Sequence, residues 1–147
     1  MGQIQPDREL TSTIHLGLRG TVKAKQEVLS QLSDSDLQAI SQLPPESALL
    51  ISLSTSGQGQ RFLVSEDLTT IGRLPESEIF LGDITVSRRH AEIARIRKEN
   101  VIQFLLKDLG SLNGSYINNV AEQETLLHSG DEVQIGKFKF LFVRGEV

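Results

Sequence analysis

Glycine, arginine, serine and asparagine recur at three spaced points of the chain: Gly72-Arg73, Ser87-Arg88-Arg89-His90 and Gly110-Ser111-Leu112-Asn113-Gly114. Arginine brings a permanent charge and a fork of donors, serine and asparagine add neutral hydrogen-bonding groups, and glycine permits close turns. Those are the groups that read a phosphate ester. Short apolar stretches of strand length lie between the clusters. The clusters therefore fall in connecting loops, where a rigid scaffold carries its binding sites.

The scaffold begins near Ala48. Alternating or short buried runs follow at 48–53, 61–65, 69–71, 79–81, 91–97, 102–108, 116–118, 132–135 and 138–143. Turn signals separate them: Gly57-Gln58-Gly59, Lys98-Glu99-Asn100, Ser129-Gly130-Asp131 and Gly136-Lys137. Many short strands without a long intervening helix predict an all-β fold, an antiparallel β-sandwich. Nothing repeats at a fixed period, which argues against a solenoid or propeller.

Upstream the pattern changes. Pro44-Pro45 removes two backbone donors and stops helix continuation, so the expected division is an arm over 1–46 and a folded domain over 47–147. Residues 1–20 are polar, with turn formers and no sustained period, as in a flexible arm. Val22, Leu29 and Leu32, then Leu37, Ile40 and Leu43, suggest short helices, with Ser33 or Ser35 as a cap ahead of the second. Such helices are marginal alone. Transient structure, packing on the domain and ordering against a partner all remain open for them.

Composition narrows the function. A chain of 147 residues holds one well-buried core and an appendage. It has no cysteine, so disulfides, thiolate metal sites and cysteine nucleophiles are excluded. No run approaches the length of a membrane span and the start lacks a secretory signal, so a cytoplasmic protein without a membrane partner is expected. Met1-Gly2 suggests a myristoylation start, but Pro6 stands where that motif needs serine or threonine. The net charge of −4 argues against a nucleic-acid binder.

Four ordered motifs now carry a resemblance: Ile71-Gly72-Arg73, Ser87-Arg88-Arg89-His90-Ala91, Asp108-Leu109-Gly110-Ser111-Leu112-Asn113-Gly114-Ser115-Tyr116 and Gly130-Asp131-Glu132-Val133-Gln134-Ile135-Gly136. Over about residues 47–145 the chain resembles a forkhead-associated (FHA) domain. Pro75-Glu76-Ser77-Glu78-Ile79-Phe80-Leu81 and the run from Thr85 to His90 are similar to the actinobacterial GarA and OdhI (oxoglutarate dehydrogenase inhibitor) regulators. The resemblance implies an FHA-type sandwich that binds phosphothreonine and is not an enzyme. Arg73 and Ser87 would hold the phosphate, with Arg88 adding charge, and Asn113 would hold the ligand backbone. Gly72, His90 and Gly114 would be structural. The implied partners are the 2-oxoglutarate dehydrogenase complex, glutamate dehydrogenase or glutamate synthase, bound without phosphate, and a Ser/Thr protein kinase.

The arm supplies the matching substrate. Asp7-Arg8-Glu9-Leu10-Thr11-Ser12-Thr13-Ile14 resembles the threonine motif that kinases modify in that group, with Thr11 and Thr13 as candidate acceptors. Leu10 replaces one of two adjacent threonines usual there. Roughly 36 residues separate Thr11 from the domain, which as flexible chain span roughly 30 to 36 Å. The phosphorylated arm can then reach its own domain and switch it off. The alternative is an adaptor that recruits a phosphorylated kinase or other partner in trans.

Other readings fail on the residues. Gly130 to Lys137 has the wrong glycine spacing for a P-loop, and Phe138 replaces the magnesium-binding hydroxyl. Ser87, His90 and Asp83 lack a nucleophile elbow, and His15, His90 and His128 lack metal-ligand spacing. No catalytic residue, metal or cofactor is expected. Arg88, Arg89, Arg95, Arg97 and Lys98 form a basic run, but acidic residues interrupt its surroundings, so nucleic acid is not an expected partner.

Overall fold

The computed structural model describes residues 30–53 and 60–145. Thr11, Thr13, His15, Val22, Leu29 and the hairpin expected at Gly57-Gln58-Gly59 lie outside the described residues. Within them, helix α1 (Asp34–Ser41) precedes β1 (Ala48–Ser52), β2 (Arg61–Val64), β3 (Leu68–Gly72), β4 (Ile79–Phe80), β5 (Ala91–Lys98) and β6 (Val101–Asp108). Strands β7 (Ser115–Ile117), β8 (Val120–Ala121), β9 (Glu124–Leu127), β10 (Glu132–Ile135) and β11 (Phe138–Arg144) complete the chain. One sheet has the order β2-β1-β11-β10-β7-β8 and the other β4-β3-β5-β6-β9. All pairings are antiparallel except β3 with the two-residue β4. The expected sandwich is present, with β8 and β9 in addition.

Alternation builds the core. Phe138, Phe140 and Phe142 of β11 point inward beside Leu50, Ile93, Phe104 and Ile135. Phe104 meets Phe142 edge-on with ring centroids 5.5 Å apart, and Phe62 meets Phe140 at 5.9 Å, the arrangement aromatic quadrupoles favour.

The outward faces of β1 and β11 are also apolar. Leu49, Ile51, Leu141 and Val143 are buried there beneath Leu32, Ala39, Ile40 and Leu43. Of the three fates left open for the second helical segment, α1 therefore takes packing on the domain. Ser33 is its N-cap: its hydroxyl accepts from Asp36 N (3.0 Å) while the Asp36 carboxylate accepts from Ser33 N (2.9 Å). The other Asp36 oxygen accepts from Arg61 of β2 at 2.8 Å, which ties the helix start to the sheet. The proline segment is tied down as well. Arg95 donates to the Glu46 carbonyl (2.8 Å), Arg97 pairs with its carboxylate (2.7 Å), and a Cβ on Gly145 would overlap the Pro44 carbonyl.

The register sets where the loops converge. Ala91 pairs with Ile71 on one side and with Asp108 on the other, and Ser115 pairs with Ile135. The β3–β4, β4–β5, β6–β7 and β10–β11 connections therefore leave from the same end of their sheets. At the other end of β5 and β6, Lys98 faces Val101 across Glu99 and Asn100 at φ 52° and 66°, a type I′ hairpin.

Candidate functional site

The loop end is assembled by hydrogen bonds that use one side of each polar group and leave the other side open. Arg73 follows Gly72 at the end of β3. Its backbone N–H lies 3.0 Å from the Ser87 carbonyl and 3.1 Å from that of Arg88, and its Nε donates to the Val86 carbonyl (3.0 Å). Among the described residues its terminal guanidinium nitrogens take no hydrogen bond. Gly72 is required by space: a Cβ there would overlap the Arg88 carbonyl. Its φ is not positive, so close approach between two loops explains this glycine better than turn geometry.

Ser87 joins the second loop to the third, its hydroxyl accepting from Leu112 N at 3.0 Å. The hydroxyl proton stays available. Asn113 binds in the reverse direction, donating through Nδ2 to the Thr85 carbonyl (3.0 Å), which leaves its Oδ1 and second N–H for a ligand backbone. Arg88 and Arg89 are exposed. Sequence placed Arg73, Ser87, Arg88 and Asn113 in one site, and the structure brings Arg73, Ser87 and Asn113 into one bonded set with Arg88 beside them.

His90 is fully buried and ties two loops together. Its Nδ1 accepts from Ser87 N (3.1 Å) and its Nε2 donates to the Gly114 carbonyl (2.9 Å), which defines the neutral Nε2–H tautomer. Gly114 sits at φ 82°, a conformation that favours glycine. Both imidazole nitrogens are engaged by backbone, so Ser87, His90 and Asp83 do not form a relay. Asp83 instead accepts from Thr85 N (2.9 Å) and its hydroxyl (2.5 Å), and pairs with Lys137 at 3.0 Å. The Thr85 and Lys137 contacts hold its carboxyl down at about 2.

Two positioning groups escaped the sequence reading. Thr85 locks the second loop to the β10–β11 turn, its hydroxyl accepting from Lys137 N at 2.9 Å. Asp108 organises the third loop. Its Oδ2 accepts from Gly110 N and Ser111 N (both 3.0 Å), and its Oδ1 from the Ser111 and Ser115 hydroxyls (both 2.6 Å). Burial pushes this carboxyl up, but the hydrogen bonds from Ser111 and Ser115 outweigh it, so the net shift is downward. Aspartate ahead of Gly-Ser is the signature of a side-chain-capped turn, and that signal was readable.

An open groove of about 470 Å³ adjoins the tip, lined by Thr85, Asn113, Gly136, Lys137 and Gln134 among others. A second, of about 310 Å³, lies beside Leu74, Arg89 and Leu109. Arg73, Arg88 and Arg89 are exposed at this end, while Lys137 pairs with Asp83. An extended strand carrying an anion fits such a tip. Among the described residues no cluster of His, Cys, Asp or Glu could hold a metal ion.

Residues 69–136 match the family model of the FHA domain. The glycogen accumulation regulator GarA of Mycobacterium tuberculosis is 40% identical over 153 aligned residues, which cover 99% of this chain and 92% of the relative. The chain belongs to the FHA family, in the GarA group. The oxoglutarate dehydrogenase inhibitor of Corynebacterium glutamicum is 48% identical over 103 residues, covering 70% of this chain and 69% of the inhibitor. Among solved structures, an FHA domain studied for phosphothreonine-dependent interactions is 33% identical with a TM-score of 0.59, covering 69% of this chain and 98% of that domain. The FHA fold and the regulator relationship are thereby shown.

Proposed function

We propose that this FHA protein is a phosphorylation-switched regulator that binds enzymes of 2-oxoglutarate and glutamate metabolism through its loop tip. A Ser/Thr kinase phosphorylates Thr11, or Thr13, and the phosphorylated arm then occupies the tip and releases the enzyme. The 2-oxoglutarate dehydrogenase complex is the first expected partner, in line with the names of relatives that share most of the chain; glutamate dehydrogenase and glutamate synthase follow from the same group. Residues 1–46 act as the regulatory segment and 47–147 as the reader, with α1 packed on the reader. The protein works in the cytoplasm; no helix among the described residues is long and apolar enough to cross a membrane.

One observation carries the reading. The free nitrogens of Arg73, the Ser87 hydroxyl and the open Asn113 amide belong to loops bonded to one another. A phosphothreonine carries nearly two charges and three acceptor oxygens, the complement of that set. Titrating a Thr11-phosphorylated arm peptide into the protein tests it. Arg73→Ala removes a charge-assisted contact worth about 1.5 to 3 kcal/mol, so affinity falls about 10- to 100-fold. Kinase treatment relieves inhibition of the dehydrogenase complex by the native chain and leaves that by Thr11→Ala intact, provided Thr13 is not the acceptor, which the double variant settles. Inhibition indifferent to phosphorylation overturns the switch and favours an adaptor that captures phosphorylated partners in trans.

A further inference from the structure

The two most exposed large apolar side chains among the described residues both stand on the phosphate-reading tip. Ile84 is 91% exposed and Leu112 89%, while no other exposed large hydrophobic exceeds 56%. Single exposed aliphatics are common and need no explanation. This pair differs in position. Ile84 precedes Thr85 and Leu112 precedes Asn113, and Thr85 and Asn113 are joined by the 3.0 Å bond that couples the two loops. Phe80 (48% exposed) and Leu109 (38%) flank the same loops. Neither Ile84 nor Leu112 supports the fold: the Leu112 backbone holds Ser87, and the Ile84 backbone lies inside the Asp83–Thr85 turn, while both side chains face solvent. Desolvating them requires a partner.

We infer that Ile84 and Leu112 are the apolar anchors of the enzyme-binding surface, separate from the phosphate pocket they border. This rests on the function proposed above. The partner that fits is a folded protein with an apolar patch for the two prongs and a carboxylate for the exposed arginines. A second copy of this chain fits poorly. A symmetric tip-to-tip contact sets Arg73, Arg88 and Arg89 against their own counterparts, and like charges brought together at an interface are costly. The arm is matched to Arg73 and Ser87 by its phosphate, whereas an enzyme bound without phosphate must draw its affinity from elsewhere. Apolar anchors surrounded by a polar rim are how such interfaces obtain it. Sharing a tip also makes the two ligands exclusive, because Leu112 N is bonded to the Ser87 hydroxyl and Asn113 to Thr85, the residue after Ile84.

The test uses full-length protein carrying Ile84→Ser and Leu112→Ser, purified 2-oxoglutarate dehydrogenase complex from the organism that carries this chain, and a Thr11-phosphorylated peptide of residues 7–12. That peptide has no apolar residue after the phosphothreonine. The high exposure of both sites keeps the fold intact, which Tm confirms. Val101→Ser, on the hairpin at the far end of β5 and β6, is the control. Enzyme inhibition weakens about 100-fold in the double variant, as expected of two interface anchors of tenfold or more each, with peptide affinity unchanged within about twofold and the control at native strength. Native inhibition by the double variant overturns the inference. Equal losses for enzyme and peptide also overturn it, because the prongs then belong to the phosphate site. A native chain that fails to inhibit, yet binds the peptide, refutes the choice of enzyme and with it this surface assignment.

Discussion

Removing the carboxylate of Asp108 tests how the third loop is held, because its two oxygens serve different kinds of donor. Oδ2 accepts from two backbone N–H groups and Oδ1 from two hydroxyls. Asparagine retains the first arrangement by presenting its carbonyl to the backbone. Its amino group then faces Ser111 and Ser115, whose hydroxyls rotate to accept. The loss is mainly charge assistance: both hydroxyl protons lose their acceptor, the half-buried Ser111 one turning to water and the buried Ser115 one left unpaired, and about 1 to 2 kcal/mol follows. Alanine removes everything. The Gly110 and Ser111 amides regain water cheaply, but Ser115 is fully buried and its hydroxyl loses its acceptor. That desolvation, added to the lost bonds, brings the cost to about 2 to 4 kcal/mol. Urea unfolding resolves the series: with a slope of about 1 to 2 kcal/mol per molar, the alanine midpoint drops by about 2 M and the asparagine midpoint by about 1 M. A pH series supplies a second reading. The Asp108 pKa is lower in the folded state than in the unfolded chain, so its ionised form stabilises the fold above the unfolded value of about 4, and this contribution is lost as pH falls through the folded value. The gap between native protein and Asp108→Asn therefore narrows from pH 6 to about pH 2. Asparagine as damaging as alanine, or a gap constant with pH, would refute this account of the loop.

Two further substitutions address other joints. Gly72→Ala sets a Cβ against the Arg88 carbonyl, a backbone group with no rotamer to yield, so overpacking costs about 2 to 3 kcal/mol and phosphopeptide affinity drops with it; native stability in thermal melts would show that the two loops separate easily. Asp36→Ala removes half of the capping box and the Arg61 pair, which costs about 1 to 2 kcal/mol and exposes Leu49, Ile51, Leu141 and Val143 to proton exchange; unchanged protection of those amides would mean the sheet face is not sealed by α1.

The core was legible because its period is two. Ile102, Phe104 and Leu106 of β6, and Ala91 and Ile93 of β5, are buried in alternation with less buried neighbours, because the outer face of that sheet meets water. The rule weakens in β1, where all five residues are buried, because α1 covers the outer face. Strands β8 and β9 are only two and four residues long, so Val120-Ala121 and Glu124–Leu127 gave no periodic signal. Partner strands supply their order: β7 hydrogen-bonds β8 across Asn118 and Asn119 at φ 52° and 70°, and β6 recruits β9. The site was legible as residue types at fixed spacing, since arginine beside glycine and serine before histidine have few competing explanations once they occur in order. What spacing could not show is which atoms remain free. That depends on long-range partners such as Thr85 for Asn113 and Val86 for Arg73, which only the folded chain brings near.

The proposed switch also sets a requirement that the geometry can meet. A tether holds the arm at an effective concentration near the millimolar range. For the tip to stay open before phosphorylation, the bare arm must bind more weakly than that. For the phosphorylated arm to displace an enzyme, it must occupy the tip by about a thousand to one, which places its affinity near a micromolar. The phosphate must therefore contribute about three decades, or about 4 kcal/mol. One charge-assisted contact at about 1.5 to 3 kcal/mol is insufficient, and two or three suffice. Arg73 with its free nitrogens, Arg88 beside it and the Ser87 hydroxyl make up that number. It follows that loss of Arg73 alone leaves the tethered arm bound by about 10 to 100 to one, so the closed state survives a single substitution that cripples binding of the free peptide. Only removal of Arg73 together with Ser87 brings the tethered arm back to the balance point, and this difference between tethered and free ligand is what separates a switch in cis from an adaptor in trans.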